Sequence, residues 1–181
     1  MTTCIDELIP FVPWTVWIYF GCYLFWVVNY VICVKQKETE RDRFFCADFL
    51  VKGMCLLLFL LVPTTNVRPV VQGETIWDMI MRLLYQVDSA DNLFPSIHCI
   101  VSWLCWIGVR KRKDIPIAYR VFSFVAAAAV CVSTLTTKQH VIVDVFVGIM
   151  LAEVCYYAAG LPKVVRLYSR LISRIKQLLK I

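Results

Sequence analysis

The chain has 181 residues, of which 60% are hydrophobic and only 18% charged, with a mean hydropathy of +0.71. A soluble domain is about half apolar and about a quarter charged, so a cytosolic enzyme and a disordered chain are both excluded and a membrane-embedded protein remains. The net charge of +6 raises nucleic acid as a partner until the cations are placed along the chain.

The nine cysteines form no CxxC pair and no metal-ligand spacing. Cys22, Cys33, Cys46, Cys55, Cys105, Cys131 and Cys155 lie in apolar runs, where a thiol acts as a small hydrophobe, and no structural disulfide is expected. The first ten residues carry Asp6 and Glu7 and no Lys or Arg, which argues against a cleavable signal peptide.

A helix needs roughly 20 apolar residues to cross a bilayer. Residues 13–34 form the first predicted span, with Asn29 its only strongly polar interior side chain. The linker KQKETERDR (35–43) is solvated. Residues 44–64 form the second span; Asp48 and Lys52, four apart, share a face and can pair. Val62-Pro63 and Arg68-Pro69 end it. Ile76, Ile80, Leu83, Leu84 and Val87 then recur at helical spacing, which predicts a short amphipathic helix on the membrane surface, bordering lateral access for lipid. Residues 96–109, 117–137 and 140–161 are the third, fourth and fifth spans, with Ala126–Ala129 permitting close packing in the fourth. In the tail, 163–181, Arg166, Arg170 and Arg174 form one stripe and Leu171, Ile172, Ile175, Leu178 and Leu179 another, the pattern of a helix on an anionic membrane surface. The expected fold is therefore all-α. It is a polytopic transmembrane helical bundle of about five spans, with a surface amphipathic helix between spans two and three and a basic amphipathic C-terminal helix, forming a single domain over residues 1–181.

With five spans, fifteen of the 19 Lys and Arg residues fall on the side of the tail. Arg68, Arg82 and Lys138 fall on the other side, and Lys52 lies within a span. That bias predicts a cytoplasmic tail and an extracytoplasmic N-terminus. The basic charge is thereby assigned to topology, and no nucleic-acid partner is expected.

Both histidines fall on the sparse side: His98 in FPSIH (94–98) and His140 in STLTTKQHVIVD (133–144). Arg68, Lys138, Ser96 and Asp144 accompany them at membrane-interface positions. Each has a plain alternative alone: Arg68 as a headgroup anchor, Lys138 snorkelling, Ser96 as a helix N-cap, a histidine as an interfacial polar contact. Together they describe an anion site with acid–base capacity. Arg68 and Lys138 hold a phosphate, one as a fork and one as a point charge, and helix N-termini add N–H donors. His140 and Asp144 are i and i+4, so the carboxylate can orient the ring and leave its second nitrogen as nucleophile or base. His98 is then available as the acid for a leaving oxygen. Two His and one Asp could ligate zinc, but nothing like an HExxH cluster supports that, and neither a metal nor another cofactor is expected.

Arg68-Pro69, Pro95-Ser96-Ile97-His98 and Ser133…His140…Asp144, in this order and at helix ends, resemble the motifs of the type-2 phosphatidic acid phosphatase superfamily of integral membrane lipid phosphatases. The resemblance implies His140 as the nucleophile that becomes a phosphohistidine, Asp144 as its orienting group and His98 as the acid. It implies phosphate binding by Arg68, Ser96 and other polar groups, Ser133 of the third motif and Lys138 among the candidates, and chemistry without a metal. Three positions depart from the family pattern. Leu61 stands where its first Lys falls, Thr134 where its Arg follows the serine, and Ile97 where its Gly falls. Lys138 or Lys52 is the candidate replacement for the missing cations. A typical member also has six spans, one more than is counted here.

The expected function is hydrolysis of a lipid monophosphate or diphosphate, such as phosphatidic acid, phosphatidylglycerol phosphate or a polyprenyl diphosphate. The expected place is the extracytoplasmic face of the plasma membrane, with a phosphorylated lipid as the partner. The alternatives are a lipid phosphotransferase with an alcohol acceptor, as in the related sphingolipid synthases, and a non-catalytic scaffold or transporter. Water access to His140 separates hydrolase from transferase.

Overall fold

A computed structural model describes residues 3–179, which are all-helical apart from turns and one isolated bridge between Thr65 and Asp91. The helices are α1 (Cys4–Leu8), α2 (Val16–Val34, preceded by a 3-10 turn Pro13–Thr15), α3 (Glu38–Leu61), α4 (Ile76–Val87), α5 (Ile97–Arg110), α6 (Ile117–Thr136), α7 (Ile142–Ala158) and α8 (Pro162–Leu179). The predicted tail runs to residue 181; Lys180 and Ile181 lie outside the described residues, as do the side chains of Lys176 and Leu179.

Three stretches are long and apolar enough to cross a membrane: Pro13–Val34, Glu38–Leu61 and Ile117–Thr136. The pair α7–α8, bent by 89°, makes a fourth, so the count is three to four where the sequence predicts about five. The difference lies in α5 and α7. At 14 residues α5 rises about 21 Å, short of a hydrocarbon core of about 30 Å. It is nevertheless the centre of the bundle and packs against α2, α3, α6 and α7. Cys99, Ile100, Val101, Leu104, Cys105, Ile107 and Val109 are all buried, so α5 is apolar around its circumference because protein surrounds it.

The second helix begins earlier than its apolar run. The segment predicted as a solvated linker over 35–43 is helical from Glu38, because Glu38 and Glu40 sit where the helix dipole favours negative charge and Arg41 pairs back to Glu38. Lys52 Nζ meets Asp48 Oδ2 at 2.8 Å, and Tyr30 donates to Asp48 Oδ1 at 2.6 Å, so the pair joins α3 to α2.

Helix α4 starts at Thr75, whose hydroxyl and amide both donate to Asp78 Oδ2. A Cβ at Gly73 would displace the Asp78 carboxylate that caps the helix. The buried face of α4, Met81 and Leu84, packs on Val16 and Tyr19, while Ile76, Met79, Leu83 and Val87 are exposed. All nine cysteines are free thiols, and all but Cys4 are buried.

Candidate active site

The α3–α4 loop and the α4–α5 loop are tied together. Thr64 Oγ1 accepts from the amides of Leu93 and Phe94, each at 3.0 Å, and Asn92 N donates to Thr64 O at 2.8 Å. This ladder brings the loop that carries Arg68 against the segment that leads into the PSIH motif. Arg68 Nη1 donates to Asp88 O at 2.5 Å and Nη2 to Ser89 O at 3.1 Å, and its Cζ lies 4.9 Å from the centre of the Tyr85 ring. The guanidinium is thus held by carbonyl dipoles, and its buried Nε has no partner among the described residues. Burial lowers the Arg68 pKa from its ordinary value, with nearby acidic groups opposing, and pushes the Tyr85 phenol up to about 12. Arg68 is thus a half-buried cation that no carboxylate neutralises at its fork among the described residues.

His140 lies before α7 rather than on it, since the helix begins at Ile142. The pairing nonetheless forms. Asp144, in the first turn of α7, has its Oδ2 at 3.3 Å from His140 Nδ1 and accepts from Val141 N at 3.1 Å. The carboxylate therefore fixes the loop and the ring together. The loop itself is constrained: Lys138 has φ 55°, and the amides of Gln139 and His140 both donate to Thr134 O.

His98, on the first turn of α5, faces His140 with ring centroids 6.3 Å apart. The two rings are near enough for one small group to touch both. Three aromatic residues of α2 surround His98. Tyr19 Oη is 3.2 Å from Nδ1, Tyr23 Oη is 3.4 Å from Nε2, and Trp26 packs against the ring at 5.5 Å. Tyr19 donates its phenolic proton to Asp88 Oδ2 at 2.6 Å, which leaves its oxygen to accept from His98 Nδ1–H. Nε2, with Tyr23 Oη at 3.4 Å, is then the other ring nitrogen. Tyr19, Tyr23 and Asp88 are absent from the sequence-based site. The two tyrosines are signalled by the i, i+4, i+7 spacing of Tyr19, Tyr23 and Trp26 on one face of α2, and Asp88 by nothing local.

The remaining predicted residues divide. Ser96 is fully buried and caps α5, accepting from Cys99 N at 3.4 Å, while its own amide donates to Asp144 O at 3.3 Å, joining the two motifs. Ser133 Oγ donates to Val130 O of its own helix at 2.8 Å. Thr134 bonds Cys131 O and Leu61 is exposed at the end of α3, so neither supplies the absent cation. Lys52 is engaged by Asp48 and lines no part of the cavity beside His140.

That cavity, about 330 Å³, is lined by His140, Arg68 and Lys138 with apolar Ile9, Phe11 and Leu135. No α4 residue lines it; the N-terminal segment and residues Asn66–Pro69 border it instead. Lys138 Nζ donates to Ile9 O at 2.5 Å and Asp6 O at 2.9 Å, and Asp6 Oδ1 accepts from Ile142 N at 2.7 Å. Asp6 thus occupies a donor at the start of α7 that the sequence leaves for an anion. Beside His140, Gln139 is 1% exposed, and neither side-chain polar atom has a partner among the described residues.

A family model described as the PAP2 superfamily matches residues 7–158. No curated protein and no solved structure matches the chain.

Proposed function

Because the chain belongs to the PAP2 superfamily, its activity is of the phosphatase type, and we propose that it hydrolyses a lipid phosphate or diphosphate through a phosphohistidine at His140. The observation that supports this is the opposed pair of rings: His140 oriented by Asp144 through Nδ1, and His98 by Tyr19 and Asp88 through Nδ1. His140 Nε2 is left for chemistry, and His98 Nε2 meets only the Tyr23 hydroxyl, at a long 3.4 Å that a substrate oxygen can displace.

In the first step the His140 Nε2 lone pair forms the N–P bond while the P–O bond to the lipid breaks. The bonding electrons leave on the lipid oxygen, which takes the Nε2 proton of the His98 imidazolium. In the second step water attacks phosphorus and gives a proton to the now neutral His98. The N–P electrons return to His140 and inorganic phosphate departs. Arg68 carries the phosphoryl charge, and the apolar wall of Ile9, Phe11 and Leu135 suits an acyl or prenyl chain. The single domain acts in the plasma membrane. The basic end of the bundle lies in the cytoplasm and the histidines on the outer face, in keeping with the distribution of Lys and Arg.

One observation favours transfer to an alcohol instead of water at the same site. His140 is 8% exposed, and the N-terminal segment borders its cavity, which limits water.

The test uses purified protein in detergent with a chelator and short-chain phosphatidic acid. Wild type releases phosphate, and stopping the reaction with alkali leaves acid-labile phosphate on the protein. His140→Ala loses both, and Asp144→Asn falls by about 10³–10⁴-fold. His98→Ala with a poor leaving group slows formation of the labelled species. Turnover persisting in His140→Ala overturns the nucleophile, and phosphate recovered on an added alcohol rather than in solution selects the transferase.

A further inference from the structure

A second cavity, about 700 Å³, opens at the far end of the bundle, one length of α5 away from His98. Three segments meet around it: the turn between α2 and α3, the turn between α5 and α6, and the last turns of α7. Orientation in a membrane accounts for basic residues in such turns. It does not account for their being built around one space.

The junction is tightly made. Gln36 Nε2 donates to Gly108 O at 3.0 Å, and a Cβ on Gly108 would lie 2.8 Å from Cys33 Sγ, so only glycine lets the two turns meet. Three arginines are then fixed in place. Arg110 forks onto Glu153 at 2.5 and 2.8 Å. Arg43 donates through Nε and Nη2 to Tyr156 O and lies 4.1 Å from the Tyr156 ring centre. Arg112 pairs with Asp114, yet its Nη1 is buried and has no partner among the described residues. Lys37, Lys111 and Lys113 also line the cavity; they are exposed and make no salt bridge among the described residues. Six cations thus face three carboxylates, Glu40, Asp114 and Glu153. Three exposed ammonium groups beside guanidiniums held in place by Glu153, Asp114 and the Tyr156 carbonyl leave the cavity with an excess of positive charge, which clustered phosphates require, and the volume fits a sugar-sized headgroup.

We propose that this cavity binds a multiply phosphorylated headgroup, as a membrane lipid of that leaflet or as the free polyanion. It is separate from the histidine site and does not rest on catalysis there. The headgroup lies where α8 turns 89° from α7, and Arg166 lines an adjoining cavity that shares Glu40 and Arg43.

The experiment places the full chain in nanodiscs and measures fluorescence polarisation of a labelled short-chain phosphatidylinositol bisphosphate, with wild type and His140→Ala side by side. Both bind equally. Lys37→Ala/Lys111→Ala/Lys113→Ala weakens binding by about tenfold or more, and Lys111→Glu alone moves it the same way if the triple variant fails to fold. Inositol trisphosphate that competes as strongly as the unlabelled lipid identifies a soluble polyanion; weak competition identifies the lipid. The proposal is overturned if the lysine variants bind as tightly as wild type, or if phosphatidylserine at matched charge binds as well. Loss of binding in His140→Ala also overturns it, because the probe would then occupy the catalytic site. Absence of phosphatase turnover leaves every arm readable.

Discussion

Tyr19 donates its hydroxyl proton to Asp88 across 2.6 Å, and this one bond dictates how His98 is used. A carboxylate only accepts, so the phenol oxygen turns its lone pair to His98 Nδ1 at 3.2 Å. The chain Asp88–Tyr19–His98 mirrors the Asp144–His140 pair across the ring gap, with a phenol inserted. Removing the phenol in Tyr19→Phe deletes one hydrogen bond to a group that is charged when it acts, worth about 1.5–3 kcal/mol, or roughly 10–100-fold. The expected result is a fall in kcat of that size with KM little changed, and an alkaline limb of the kcat pH profile, set by the proton that His98 must carry, displaced from that of wild type. A Tyr19→Phe enzyme with an unaltered profile shows the phenol to be packing only.

Arg68 binds two carbonyls through separate nitrogens, Asp88 O and Ser89 O, a geometry a lysine ammonium does not reproduce. Arg68→Lys keeps the charge and loses the fork. KM for short-chain phosphatidic acid is expected to rise by about tenfold, the loss of roughly one charge-assisted bond. The thermal midpoint should fall as well, because Arg68 joins the two loops.

Lys138 combines a left-handed backbone, φ 55°, with an ammonium that clamps Asp6 O and Ile9 O. The two roles separate by substitution. Lys138→Ala and Lys138→Gly both remove the ammonium, but only glycine suits the backbone, by about 1 kcal/mol or more. Thermal unfolding in detergent should place Lys138→Gly above Lys138→Ala and both below wild type. Equal midpoints for the two variants would show that the backbone angle carries no strain.

Asp6 is the chain's tie between its N-terminus and α7. Burial raises its carboxyl, but hydrogen bonds from Thr3 and Ile142 and the charge of Lys138 outweigh burial and hold it below the ordinary value of 3.8. A depressed carboxyl contributes stability above its unfolded pKa and loses that contribution as pH falls through the folded value. Asp6→Asn is therefore expected to lower stability by about 1 kcal/mol at neutral pH, the size of a helix cap. The difference from wild type should shrink only below about pH 4. Thermal melts of both proteins over that range provide the measurement, and a gap that persists at low pH refutes the assignment.

The amphipathic pattern of α4 and the caps at Thr75 and Ser96 are local features, legible from residue types a few positions apart. The helical start at Glu38 was hidden because the stretch is polar, although its charges are placed as a helix needs them. The reading of His140 as helical errs by two residues, and Asp144 still reaches it because a first-turn carboxylate bonds back across the cap. Asp88 and Asp6 gave no sign in the chain, since each partner lies far off in sequence: Tyr19 is 69 positions from Asp88 and Ile142 is 136 from Asp6.

Composition and motif spacing by themselves determined that this is a helical membrane protein of the phosphatase type, because apolar length and residue chemistry are read along the chain. The tertiary structure alone decided which groups meet. It seated the shortest apolar helix, α5, at the centre and aimed Tyr19 at His98. It also directed the Lys138 ammonium to backbone carbonyls and gathered the basic turns around one cavity. Those outcomes depend on how the helices pack against one another, and packing relates side chains that no local periodicity connects.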